Sequence, residues 1–246
     1  VNLFQQIFAW LTDPEHWRTT LGIAGIPQRV GEHLQYTGLA VLVSALIAVP
    51  LGAWIGHTGR GGTVVVGLVN SLRALPELGL VILLVLALGI TYAVPALTIA
   101  LVVLGVPVLL AGTYAGIRNV DRSVVDAARG MGMTEWEILL KVELPNALPL
   151  MFGALRAASL QIIATVAIAA QISLGGLGRY VIDGFAFREF DQMAAGAILI
   201  AALAIVVELV LTGVQWLVIS PGLRKARTTR VKSTQQRALE PASEST

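Results

Sequence analysis

Twenty consecutive residues, Thr37–Gly56 (TGLAVLVSALIAVPLGAWIG), carry no ionisable side chain. A helix rises about 1.5 Å per residue, so a run of this length spans the ~30 Å hydrocarbon core of a bilayer. Inside lipid every backbone amide must be satisfied within its own segment, which leaves helices or a closed barrel. Further apolar runs follow at Thr63–Ile90, Val94–Ile117, Ala147–Ser173 and Met193–Ile219. The chain is 56% apolar and 13% charged, with a mean hydropathy of +0.78. A soluble domain is nearer a quarter charged. The expected fold class is all-α: a polytopic transmembrane helical protein of about five spans.

The spans are not equivalent. Thr63–Ile90 contains Asn70, Ser71, Arg73, Pro76 and Glu77, so a bent or broken helix is expected, its polar centre facing protein or water. Val94–Ile117 carries Pro95 and Pro107. Ala147–Ser173 is interrupted by Arg156, Gln161 and Gln171, and Met193–Ile219 by Glu208. An unpaired carboxylate at depth is costly, so Glu208 is expected to be neutral, paired or reached by water. Arg73 and Arg156 are its candidate partners, and a pathway role and a structural hydrogen bond both stay open. Asn70, Arg73, Gln161, Gln171 and Glu208 are the candidate pathway residues.

The ends read differently. Residues 1–36 are mixed in character, and an interfacial segment with Trp10 and Trp17 at the headgroups competes with a solvated arm. VNLFQQIFAWLTDPEHW has no basic n-region and no small-residue cleavage site, so no removable signal peptide is expected. Residues 37–219 form the transmembrane unit, and 220–246 a basic, then polar, tail expected to be disordered. Five spans put the termini on opposite sides. With the tail inside, the inner segments hold Arg60, Arg118, Arg122, Arg129, Lys141 and the six basic tail residues. The outer segments then hold Arg18, Arg29, Arg179 and Arg188. The positive-inside rule therefore puts the N-terminus outside and the tail in the cytoplasm.

That orientation makes 118–146 cytoplasmic. Within it, VDRSVVDAAR reads as a short amphipathic helix with Val124 and Ala128 on one face. Gly130 and Gly132 permit a sharp turn. Thr134 and Glu137 form a capping box for a second helix that carries Trp136 and Leu140 and ends near Pro145.

The spacing of this hairpin resembles a known pattern. Asp126-Ala127-Ala128, three residues, Gly132, nine residues, then Val142-Glu143-Leu144-Pro145 is similar to the conserved loop of bacterial ABC importer permeases. Asp126 stands where that family usually has Glu. The resemblance implies a type I ABC importer permease core whose coupling helix, residues 121–140 here, sits in a groove of a cytoplasmic ATPase subunit. Asp126, Ala127, Ala128, Gly132, Trp136, Leu144 and Pro145 are its coupling-loop residues. GIRNVDRSVVDAARGMGMT and SLGGLGRYVIDGF look like permeases of the glycine betaine/carnitine/choline/proline osmoprotectant type. The resemblance also implies an extracytoplasmic substrate-binding protein and a second permease copy or a paralogue.

No catalytic role is expected of this chain. There is no G-x-x-x-x-G-K-[ST]; GHTGRGG lacks the Lys-Ser/Thr and joins two apolar runs. Cysteine is absent and the three His are scattered, so no metal site, cofactor or nucleophile–base arrangement is expected, and no nucleic-acid partner. A quaternary ammonium solute would look for aromatic faces, for which Tyr92, Tyr114, Tyr180, Phe185 and Trp216 are candidates.

Overall fold

The computed structural model describes residues 2–19 and 24–219. The expected tail over 220–246 lies outside the described residues. The described residues form helices joined by short turns. In order these are α1 Leu3–Thr12, α2 Pro14–Trp17, α3 Ile26–Thr58, α4 Gly62–Arg73, α5 Glu77–Leu88, α6 Ala93–Arg118, α7 Arg122–Gly130, α8 Glu135–Ile138, α9 Leu144–Val166, α10 Gly178–Phe187 and α11 Phe190–Val218.

Four helical stretches among the described residues are long and apolar enough to cross a membrane: Ile26–Thr58, Ile90–Arg118, Glu135–Ile172 and Phe190–Val218. The remaining expected span is two helices, α4 and α5, parted at Ala74–Pro76. The cause is local. Pro76 has no amide to continue the ladder and biases Leu75 away from helix. The first span starts earlier than its uncharged run: α3 begins at Ile26, with Pro27 in the first turn where its missing amide costs nothing.

The bundle centre is α6, packed against α3 on one side and α9 on another. Lipid tails are as apolar as Leu, so contact here comes from close packing between small residues. Gly52 faces Thr113 with no room for a Cβ, and Gly112 lies directly against Ala154. Leu97, Ala100 and Leu101 of α6 pack with Ala40 of α3, Val81 of α5 and Ile162 and Val166 of α9.

The turn after α9 is tied to α3. Glu32 accepts the Gly176 amide at 2.7 Å, and buried His33 accepts the Leu177 amide on Nδ1 at 3.3 Å. The other ring nitrogen, Nε2, donates to the Ile163 carbonyl at 3.0 Å. Gly176 sits at φ +94°, which allows the turn to fold onto His33. The Gly-rich stretch is thus a packed corner at the end of the bundle opposite the hairpin.

Candidate functional site

The hairpin between α6 and α9 is ordered by its own miniature core. Val125 and Ala128 of α7 and Ile138 of α8 are buried together, with Val120, Met133 and Val142 packed around them. The apolar face is therefore Val125/Ala128. Val124, expected to share it, is 45% exposed. Asp121 caps α7 by accepting the Ser123 amide at 3.0 Å.

Gly132 closes α7 in a Schellman turn. Its amide bonds the Arg129 carbonyl at 2.9 Å, and the Met133 amide bonds the Ala128 carbonyl at 3.2 Å. Gly132 takes φ +83°, the left-handed region open to Gly, while Met133 folds back onto Ala128. Thr134 and Glu137 then make the expected capping box for α8. Lys141, 2.8 Å from Glu137, and the Thr134 amide and hydroxyl hold the Glu137 carboxyl down to about 2.

The second helix does not end near Pro145. Residues Leu139–Glu143 form a π turn that runs straight into α9, and the Leu144 amide bonds Leu139 five residues back. A widened turn gives the Pro145 ring space it would lack in an α-helix. Asn146 Nδ2 donates to the Val142 carbonyl at 2.7 Å, occupying an acceptor of the same turn. Leu144 and Pro145 are half-buried here, inside a continuous helix from Glu135 to Ile172.

A polar chain fastens the hairpin to the end of α3. His57 Nδ1 donates to Glu143 Oε2 at 2.6 Å, and Nε2 lies 3.3 Å from Glu135 Oε2. Glu135 takes both Nε and Nη2 of Arg129, at 2.8 and 3.0 Å. Arg129 Nη1 stands 3.5 Å from Asp126. Glu143 is buried, beside a small cleft lined by His57, Arg118 and Arg122. His57 and Glu143 lie 86 positions apart, and no local sequence pattern pairs them. Asp126 and Ala127 face outward. Trp136 and Leu140, one turn apart, are 69% and 58% exposed, and Met131 76%.

Within the spans the five pathway candidates separate. Arg156 Nη1 meets Glu208 Oε1 at 3.2 Å and donates to Thr212 at 2.9 Å, so Glu208 is an ion-paired bridge from α11 to α9. Gln161 points instead to α5, its Nε2 donating to Glu77 at 3.4 Å. Gln171 is exposed. Asn70 and Arg73 lie on α4; their side chains lie outside the described part. Glu77 belongs with Gln161, and its position at the helix break was the signal in the sequence. Tyr180 packs its edge on Trp10 at 5.1 Å, and His16 stacks on Trp10 at 4.0 Å, so that aromatic group is occupied. Tyr92 and Phe185 stand exposed on separate elements.

Comparison with known proteins places this architecture. Residues 48–224 match the family model "Binding-protein-dependent transport system inner membrane component". The carnitine transport permease OpuCB of Listeria monocytogenes is 31% identical over 80% of this chain and 89% of its own length. The glycine betaine/carnitine/choline permease OpuCB of Bacillus subtilis is 33% identical over the same shares. The osmoprotectant import permease OsmW of Salmonella typhimurium is 34% identical, over 78% and 91%. The fold is that of the MetNI methionine ABC transporter in an inward-facing form, at a TM-score of 0.67 and 20% identity, covering 79% of this chain and 96% of that one. The chain belongs to the binding-protein-dependent ABC importer permeases, grouped with the osmoprotectant type: a multi-pass, non-catalytic transport subunit of the inner membrane.

Proposed function

Taking that membership as the premise, we propose that this chain is the membrane path of an ATP-driven importer for quaternary-amine osmoprotectants. Glycine betaine, carnitine, choline and proline-type solutes are the expected cargo. The relatives' named solutes support that class, and the absence of a free aromatic cage among the described residues fits selection by a separate binding protein. A permease for an amino acid or another small solute is the alternative that the test below separates.

The observation that carries the mechanism is the hairpin: a rigid, self-packed knob presenting Trp136 and Leu140 outward, fused without a break to a span. Residues 121–140 dock in a separate ATPase subunit. With α4 and α5 together making one crossing, the spans number five. The N-terminus then lies outside, and the hairpin and tail lie in the cytoplasm. Residues 37–219 form the transmembrane unit. Two copies, or this chain and a paralogue, enclose the route. Closure of the ATPases moves the paired hairpins and switches access from one side to the other, a change between two packed states rather than a chemical step in this chain.

The test is uptake of labelled glycine betaine, carnitine, choline and proline into vesicles holding the chain with the ATPase and binding protein encoded beside it. ATP-dependent uptake of a quaternary amine, competed by its relatives, is the expected result. An assembled ATPase complex that carries none of them refutes the solute assignment and leaves the permease.

A further inference from the structure

Glu77 opens α5 immediately after the Ala74–Pro76 break. Its two oxygens point at different partners on α9. The Thr165 hydroxyl donates to Oε2 at 2.8 Å, and Gln161 Nε2 approaches Oε1 at 3.4 Å. Among the described residues Glu77 makes no ion pair, whereas the carboxylates of Glu32, Glu135, Glu137, Glu143, Asp183 and Glu208 each meet a basic side chain or an imidazole. Gln161 lies just past midway along the helix between Pro145 and Ile172 and Thr165 one turn further, so the cluster falls within the apolar length of that span. Glu77 is half-buried.

Three physical constraints meet here. A carboxylate at this depth is expensive unless it is paired or reached by water. Broken backbone at membrane depth occurs only where it is covered by protein or lines a polar cavity. The open side of α9 beside this cluster carries Ala157 and Ala164, both exposed and spaced seven apart, which is one face of a helix. Gln161 lies next to this small-residue face, and buried Thr165 lies one step further round the helix. The hydroxyl and amide hold the carboxyl group in place, and neither of them is a cation.

We propose that Glu77, positioned by Thr165 and Gln161, is the charge-selective residue of the transport path, favouring solutes with an unopposed positive charge over zwitterions. This rests on the quaternary-amine reading above. Choline bears a net positive charge; glycine betaine carries its own carboxylate, which Glu77 repels while attracting the ammonium. The carboxylate therefore discriminates between two solutes of the same headgroup. Two donor bonds spread its charge and keep the contact weak enough for release.

The experiment uses the full importer in proteoliposomes with saturating binding protein, measuring maximal ATP-dependent uptake of choline and of glycine betaine. Glu77→Gln keeps the shape and removes the charge. The expected result is a fall of about tenfold in the choline-to-betaine uptake ratio, about a third, on the free-energy scale, of what one contact charge pair supplies at moderate effective dielectric. Glycine betaine uptake is unchanged or raised, and its retention shows that the variant is folded and coupled. Glu77→Asp restores the ratio in part. Where Glu77→Gln does not assemble, Glu77→Met keeps the length of the side chain without its charge and carries the same expectation. Equal loss of both solutes, an unchanged ratio, or a wild type that carries betaine but no choline overturns the assignment of Glu77 alone. A wild-type complex that hydrolyses ATP yet carries no quaternary amine overturns the solute reading and this inference with it.

Discussion

Replacing His57 with Ala should loosen the hairpin while leaving the spans intact. His57 Nδ1 holds the buried Glu143 carboxylate at 2.6 Å, and the two side chains are 12% and 8% exposed. A hydrogen bond to a charged group contributes about 1.5–3 kcal/mol, and its loss leaves the acceptor desolvated. Glu143 lines a small cleft with Arg118 and Arg122, so cationic groups stay near the stranded carboxylate. The same substitution frees Glu135 from its 3.3 Å contact, an exposed pair that adds little. Local opening then becomes easier by that amount, and amide hydrogen exchange reads it directly. Exchange at Val125, Met133 and Ile138–Glu143 should accelerate about ten- to 150-fold, at 1.36 kcal/mol per decade. Amides of α11, which packs chiefly on α10, α9 and α1, serve as the internal reference. Glu143→Gln should give a smaller change because an amide oxygen still accepts. Hairpin exchange within about threefold of wild type, less than 1 kcal/mol, would refute the clasp as the attachment of the hairpin to α3.

Gly132→Ala forces a Cβ into φ +83°; hairpin exchange should report about 1–2 kcal/mol of lost stability. Ala128→Arg puts a guanidinium where only 2% of the residue is exposed, so the variant should insert normally, checked by membrane fractionation, and lose solute-stimulated ATP hydrolysis. Trp136→Ala removes a 69% exposed side chain. Hairpin exchange should shift by no more than about 0.5 kcal/mol, while co-purification of the ATPase drops sharply; unchanged co-purification excludes Trp136 from the docking surface. Arg156→Leu strands Glu208 within the bundle, so its thermal midpoint in detergent should fall below that of the Arg156→Leu/Glu208→Leu double variant.

Hydropathy marked every long span, because lipid imposes one rule on twenty residues at a time. The same rule is silent about where a helix starts once it leaves the hydrocarbon, which is why α3 runs back to Ile26 beyond its uncharged run. Thr134 and Glu137 declared their capping box locally, as did Gly132 its turn, since both depend on neighbours within four residues. Val124 and Val125 are a different case. Either could face inward on a nine-residue helix, and the choice is made by Ile138 and Val142 arriving from the next element. Pro145 read as a stop because a proline in an α-helix clashes with the preceding turn. The π turn at Leu139–Glu143 removes that clash, and no residue type announces it. Arg156 was one of two written partners for Glu208; the distance between α9 and α11 decides it. The His57–Glu143 and Glu77–Thr165 contacts join residues more than eighty positions apart, beyond any periodicity.

The absence of a break at Pro145 changes what the hairpin can do. Were Pro145 a helix end, the hairpin would hang on a joint and its motion would dissipate there. Instead α8, the π turn, α9 and the 3-10 turn Ala167–Ile172 form one helical body of 38 residues from Glu135 to Ile172. Trp136 stands at one end of that body, and Gln161 and Thr165, which hold Glu77, stand well along it. Glu143 sits between them, clasped to α3 by His57. Among the described residues His57 ties this stretch of the body to α3 through Glu143 and, at 3.3 Å, Glu135, and the buried Glu143 contact acts as the fulcrum. A displacement imposed at Trp136 about Glu143 moves Thr165 relative to α5 and alters its 2.8 Å hold on Glu77. Docking at the hairpin and release at the carboxylate are then two ends of one lever. On this geometry His57→Ala should weaken the dependence of uptake on ATP more than it weakens ATPase binding, because the lever stays whole and loses only its pivot. Loss of binding with normal coupling in the residual complex would refute the lever.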